Sequence, residues 1–207
     1  MQPGGDVNDW KGNAHLLPYS SIVLQEPDRF GSADSSVRVQ DAQSWLAVKP
    51  DVYFDGSDFS VTAWVKLYSC AYWSRLLDFG NGPSADNVYV TLSRLSGCQP
   101  ARGVFSGSSA VFYNLSSVRI ALNTWTHLAV TMSNSTFALY LNAAPVATAS
   151  TGGGAMPRGC VRTGNYFGKS SWTGDAYANA SFDEIRFYGK ALDAAMVRLD
   201  MNTVTLP

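Results

Sequence analysis

Asp183 is the residue whose type and position most demand chemistry. In the run Ser181-Phe182-Asp183-Glu184-Ile185-Arg186-Phe187-Tyr188, a strand that buries Ile185 and Phe187 turns Asp183 inward with them and sends Phe182, Glu184, Arg186 and Tyr188 outward. A carboxylate at the margin of an apolar interior is costly unless it is neutralised or hydrogen-bonded. Two partners would serve: loop backbone N–H groups, or a calcium ion. Calcium takes roughly six to eight hard oxygens. Asp6, Asn8, Asp9 and Asn13, in the acidic stretch near the N-terminus, could supply several of them beside Asp183. A Ca2+ site and a purely structural hydrogen-bond network both remain open, because Asp-Asn-Gly clusters alone usually mark turns.

Aromatic residues form the second constellation. Sugar rings stack their apolar faces on Trp or Tyr while amides, carboxylates and Arg take the hydroxyls, which requires exposed rings on rigid supports. Tyr72 and Trp73 follow the strand that begins at Phe59, Trp172 and Tyr177 precede the last strand, and Trp64 lies on the non-core face of its own strand. These five are the candidate ligand-binding residues. The competing expectation is that neighbouring loops cover Trp64 and Trp172. Trp45 and Trp125 abut strand runs and are assigned to packing.

Catalytic signatures are lacking. His127 sits within a strand pattern and reads as structural, and His15 has no triad spacing near it. Asp183 and Glu184 are adjacent, so strict alternation aims them at opposite faces, and no other strand offers an acidic i, i+2 pair. The sequence holds no G-x-S-x-G elbow, P-loop or H-E-x-x-H. The chain is therefore expected not to be an enzyme.

The elements that must hold these side chains are strands. Phe59, Val61, Ala63, Val65 and Leu67 alternate with Ser60, Thr62, Trp64 and Lys66, the period-2 signature of a half-buried strand. The same pattern recurs at 88–93, 127–132 and 137–141. Weaker strand signals lie at 37–39, 45–48, 76–79, 103–106, 118–122, 146–149, 165–169 and 181–188, and 192–199 reads as one short helix with Asp193 as N-cap. So many short antiparallel strands exceed one open sheet, which predicts two stacked sheets or a barrel.

With 207 residues, one all-β domain spanning 1–207 accounts for the length. Only 15% of residues are charged, against about 25% in an average soluble protein. A net charge of −1 leaves no basic surplus for nucleic acid or anionic lipid. No run approaches the roughly 20 apolar residues of a membrane-spanning helix, so membrane insertion is not expected. Three cysteines suggest one bridge and one spare thiol. Cys70 and Cys98 each follow a strand of one meander and end on one edge, with Cys160 a competitor for either. Sequons at Asn114, Asn134 and Asn179 fit a secreted or cell-surface glycoprotein, although Asn, Ser and Thr are abundant enough to produce such triplets by chance.

Read in order, several segments carry a resemblance: Asp28-Arg29-Phe30-Gly31, Asp58 to Lys66, Leu76-Leu77-Asp78-Phe79-Gly80, Asn123 to Thr131, Leu139-Tyr140-Leu141-Asn142, Asn165 to Lys169, and Ser181 to Leu192. Together they resemble the laminin G-like branch of the concanavalin A-like lectin and glucanase superfamily. That resemblance implies a two-sheet jelly roll and a non-catalytic binding or adhesion module for a glycan or an extracellular protein, sometimes calcium-dependent. It also admits a structural spacer without a small ligand, or, less favoured, a glycoside hydrolase or lyase. Family members usually open with a short apolar strand before the acidic segment. Here the chain begins almost at that segment, which reads as one domain of a longer multidomain protein.

Overall fold

A computed structural model describes residues 15–19, 23–40, 44–106, 109–114, 118–150 and 156–204. Among them the strands are β1 (Leu16–Tyr19), β2 (Val23–Glu26), β3 (Ser36–Val39), β4 (Trp45–Val48), β5 (Phe59–Leu67), β6 (Arg75–Gly80) and β7 (Val88–Thr91). Then come β8 (Ala101–Ser106), β9 (Ser109–Asn114), β10 (Trp125–Ser133), β11 (Thr136–Leu141), β12 (Ala144–Ser150), β13 (Gly164–Phe167) and β14 (Ala180–Tyr188), closed by helix α1 (Ala194–Asn202). They build two seven-stranded sheets, ordered β1-β4-β13-β6-β7-β8-β9 and β12-β11-β10-β5-β14-β3-β2. Every strand pairing is antiparallel. Of the two arrangements that alternation allowed, the stacked sheets are the one observed, and the jelly roll implied by the resemblance is the fold.

Register explains the core. Across the first sheet Leu46, Phe167, Leu77 and Val90 stand in one row facing the second sheet. Leu139, Val130 and Val61 form the opposing row, which ends at Phe187, itself 40% exposed. The side chains between them pack as a single cluster that also takes in Phe54, Phe59, Phe79, Leu128 and Phe182. Burying an aliphatic or aromatic side chain of this size contributes about 1.5–3 kcal/mol, so these rows hold the sheets together.

Four local expectations are corrected. Residues 118–122 form no strand and contribute only an isolated bridge from Leu122 to Leu67. β1, β2 and β9 were not anticipated, because short edge strands bury little and show weak alternation; Pro18, which cannot donate to a ladder, stands in edge strand β1. The helix starts at Ala194, with the Asp193 carboxylate accepting from Met196 N at 2.8 Å. Last, alternation breaks in two strands. β6 carries one extra residue between Arg75 and Leu77, and β14 carries one between Asp183 and Arg186.

These β-bulges reverse the facing of everything beyond them. In β14, Ala180 and Phe182 face the core opposite Leu67 and Val65, and Phe187 faces it opposite Val61. Glu184, at φ 48°, absorbs the offset. Asp183 therefore points outward beside Trp64, and Phe182 inward, the reverse of the strict-alternation reading. In β6, Arg75 and Asp78 come to share one face although three positions separate them, while Leu76 and Leu77 are both fully buried.

The outer face of the second sheet is covered by α1, where Leu192 and Val197 pack on Ala129, Tyr140 and Ala143. Asp200 on that helix is a hub. It accepts from His127 Nε2 at 3.0 Å, from Arg186 at 3.0 Å and from the Tyr188 hydroxyl. These donors hold its carboxyl down at about 2 in spite of burial. His127 is buried in that contact. At one end of the sandwich the fully buried guanidinium of Arg162 donates to the carbonyls of Asp86, Phe54, Arg158 and Cys160 at 2.8, 3.1, 3.0 and 3.4 Å. One side chain thus ties three loops. Cys70 and Cys98 form a disulfide and Cys160 is a half-buried free thiol.

Candidate ligand-binding site

The outer face of the first sheet carries a row that alternation sets opposite the core: Ala47, Tyr166, Asp78, Tyr89 and Gly103. Gly103 is needed there, since a Cβ on it would stand 2.3 Å from the Tyr89 ring. The segment from Gly168 to Asn179, leading from β13 to β14, folds back over this row. Its Ala176 N–H donates to the Tyr72 carbonyl at 2.8 Å, and Ala178 N–H to the Gly168 carbonyl at 2.8 Å.

Beneath that segment lies an ionic cluster. Arg75, only 2% exposed, donates to Asp175 at 2.6 Å, to the Trp73 carbonyl at 2.6 Å and, through Nε, to Asp78 at 3.4 Å. Its guanidinium lies 4.4 Å from the centre of the Tyr89 ring and 5.6 Å from those of Trp73 and Trp172. Asp78 is wholly buried and accepts from Asn87 Nδ2 at 2.9 Å, Ser171 N at 3.0 Å and Ser171 Oγ at 3.1 Å. Burial pushes its carboxyl above the ordinary range, against the pull of Arg75. Removing one member of such a buried pair costs about 3–5 kcal/mol, so the cluster fixes the covering segment in place.

Between segment and sheet opens a cavity of about 270 Å³ lined by Gly82, Gly164, Tyr166, Lys169, Ser170, Ser171, Trp172, Thr173, Asp175 and Tyr177. Its size is near the lower end of the roughly 300–1,000 Å³ typical of small-molecule sites. Trp172 stands edge-on to Tyr89 at 5.7 Å, and Tyr177 stacks with Trp45 at 5.5 Å, which in turn stacks on Tyr19 at 4.0 Å. Ser170 Oγ donates to Asp175 Oδ2 at 2.7 Å. The site thus brings aromatic side chains and anchored polar atoms to one opening.

Of the sequence-derived ligand residues, Trp172 and Tyr177 line the cavity, Trp73 lies on the Arg75 cluster, and Tyr72 is exposed and meets the covering segment through its carbonyl. Trp64 is apart. It lies on the outer face of the second sheet, half-buried, with the Arg29 guanidinium 4.9 Å from its ring. Tyr166, Lys169 and Asp175 went unrecognised, because only register and the return of the 168–179 segment bring them together. Trp45 is a packing residue as expected, yet its stack supports Tyr177.

Asp183 contacts Arg29 Nη1 at 2.9 Å, and the same guanidinium reaches Glu184 at 2.9 Å. A calcium ion at Asp183 would therefore meet a cation already seated there. Asp6, Asn8, Asp9 and Asn13 lie outside the described residues, and among the described residues no group of three or more His, Cys, Asp or Glu is arranged to hold a metal. Asn134 is exposed at the β10–β11 turn, Asn179 is half-buried and accepts from Arg38 at 3.5 Å, and Asn114 ends β9. Among the described residues no helix is long and apolar enough to cross a membrane.

Two packed antiparallel sheets, with a cavity lined in part by aromatic residues on one outer face, define a jelly-roll domain. The chain belongs to the Concanavalin A-like lectin/glucanases superfamily, whose Laminin_G_3 family model matches residues 40–198. Among solved structures it is similar to domain 4 of AbnA, a GH43 extracellular arabinanase from Geobacillus stearothermophilus, in complex with arabinotriose. That likeness has a TM-score of 0.76 at 18% identity and covers 95% of this chain and 93% of that one. The binding domain of Paraclostridial Mosquitocidal Protein 1 follows at TM-score 0.71 and 17% identity, covering 94% of this chain and 49% of that one. A botulinum neurotoxin type C structure, described for cell entry through two ganglioside molecules, matches at TM-score 0.68 and 15% identity, over 94% and 48%. The chain spans about half of each toxin structure. No curated protein matches it by sequence.

Proposed function

We propose that this chain is a non-catalytic carbohydrate-binding module of a secreted or cell-surface multidomain protein, and that the cavity under the 168–179 segment takes the sugar. The observation that carries the reading is the convergence of Trp172, Tyr177 and Tyr166 with Asp175 and Ser170 around one opening. The arabinotriose complex of the AbnA domain and the ganglioside-dependent toxin, both of like fold, support a glycan as the partner class. Two carboxylates do meet at Arg75, but Asp78 is sealed beneath the segment and does not line the cavity. That placement disfavours a pair flanking a glycosidic bond, which needs both groups at the substrate.

A glycan array followed by calorimetry on the hits tests the reading. Trp172→Ala is expected to weaken the best hit at least about tenfold, roughly 1.4 kcal/mol, with the fold intact by circular dichroism. If no glycan binds, the spacer reading takes its place. Release of reducing ends from the bound oligosaccharide would contradict the non-catalytic part. For calcium, the reading leaves Asp183 to Arg29 and keeps the oxygens of Asp6, Asn8, Asp9 and Asn13 as donors. The array repeated with chelator tests that dependence.

A further inference from the structure

Among the described residues lining the cavity, Lys169 is the one that carries a positive charge. Its ammonium lies 4.2 Å from the centre of the Trp45 ring and 4.4 Å from that of Tyr166. Among the described residues no carboxylate lies within ion-pair distance of it. The two acidic groups nearby are committed elsewhere: Asp78 to Arg75, Asn87 and Ser171, and Asp175 Oδ2 to Arg75 and Ser170. Lys169 is half-buried, so its charge has lost part of its hydration and has only ring faces in return.

Ring faces attract a cation only weakly, whereas a charge-assisted hydrogen bond to an anion inside a partly dry cleft is among the stronger polar contacts available. A cation posed in this way, with its rings as a rigid rest, is preorganised for a negatively charged guest. Asp175 lines the same opening, and its Oδ2 contacts to Arg75 and Ser170 hold the carboxylate in place as an acceptor for a sugar hydroxyl.

Resting on the glycan reading above, we infer that the cavity selects an acidic sugar, with Lys169 holding the anionic substituent while Trp172 and Tyr177 take the ring. The shared chemistry is a carboxylate or sulfate ester borne on a pyranose or furanose ring. The selectivity is set by one residue. Lys169→Met keeps the aliphatic stem over Trp45 and removes only the charge, so it separates recognition from packing.

The test is calorimetry with three matched probes: a neutral oligosaccharide, its uronate counterpart and its sulfated counterpart. The wild-type protein is expected to bind at least one acidic probe about tenfold or more tighter than the neutral one. Lys169→Met should abolish that margin, bringing the ratio of acidic to neutral affinity from about tenfold to about one. The acidic margin should also shrink on raising salt from about 50 to about 200 mM, whereas neutral binding should not change. The uronate and sulfate arms say which anion is preferred. Equal affinity for neutral and acidic probes, or a Lys169→Met variant that loses both alike, overturns the inference and leaves the glycan reading standing. If no probe binds and the array is also blank, both fall together.

Discussion

At the residue scale the chain shows how a buried charge is made tolerable. Asp183 is raised to about 6, first by burial and then by Glu184, with Arg29 pulling the other way. A carboxyl whose folded value lies above its unfolded value of 3.8 contributes stability that is fully present below about pH 4 and lost as pH rises through about 6. Asp183→Asn removes this titration. We therefore expect the melting temperature of the variant, relative to the natural protein, to climb between about pH 4 and about pH 6. A difference that stays flat across that window would mean that Arg29 keeps the carboxylate ionised throughout. Asp200 works in the opposite sense. Held at about 2, it adds stability above its unfolded value, lost only as pH falls through about 2.

At the scale of elements, two single-residue insertions decide what the sheets display. Without the extra residue near Leu76, Arg75 and Asp78 would face opposite ways and the cluster beneath the cavity would not form. Without Glu184, either Phe182 or the pair Ile185 and Phe187 would be driven from the core. Deleting Glu184 is accordingly expected to cost more than about 4 kcal/mol, beyond the common range for a single change. The check is a urea titration followed by tryptophan fluorescence. A deletion variant with an unchanged midpoint would show that the strand slips at no cost. The β14 bulge was not read from the sequence: strict alternation sent Phe182 outward and Asp183 inward, and only the register with β5 reverses them. Nor was the β6 bulge, since Leu76-Leu77 before Asp78 reads equally well as one strand with either leucine inward.

At the scale of the whole molecule, stability rests on pairings between distant parts of the chain. β5 is flanked by β10 and β14, and β14 also links β3 and β2 to the rest of the second sheet. α1, by contrast, only caps an outer face. Ending the chain at Tyr188 should therefore leave a β-type circular dichroism spectrum with a lowered melting temperature, because Ala129 and Tyr140 are uncovered and His127 and Arg186 lose Asp200. Ending it at Asn179 should abolish cooperative melting, since two strands lose their only connection to the sheet. Survival of the shorter form would contradict the central place given to β14. A small net stability of about 5–15 kcal/mol makes the two outcomes easy to tell apart.

Sequence alone determined the layered, antiparallel build, the apolar rows of β5, β7, β10 and β11, the N-cap at Asp193 and the set of cysteines that allowed the bridge. Those features follow from period-2 burial and local capping, which act over a few residues and leave their mark in composition. Tertiary structure decided which aromatics meet, why Trp64 stands apart, where Asp183 points, and that Lys169 and Asp175 share an opening with Trp172. Each of these depends on register, on a bulge, or on the return of a loop across a sheet. Such contacts join residues far apart in the chain, and no short pattern records which side chains a folded surface will bring together.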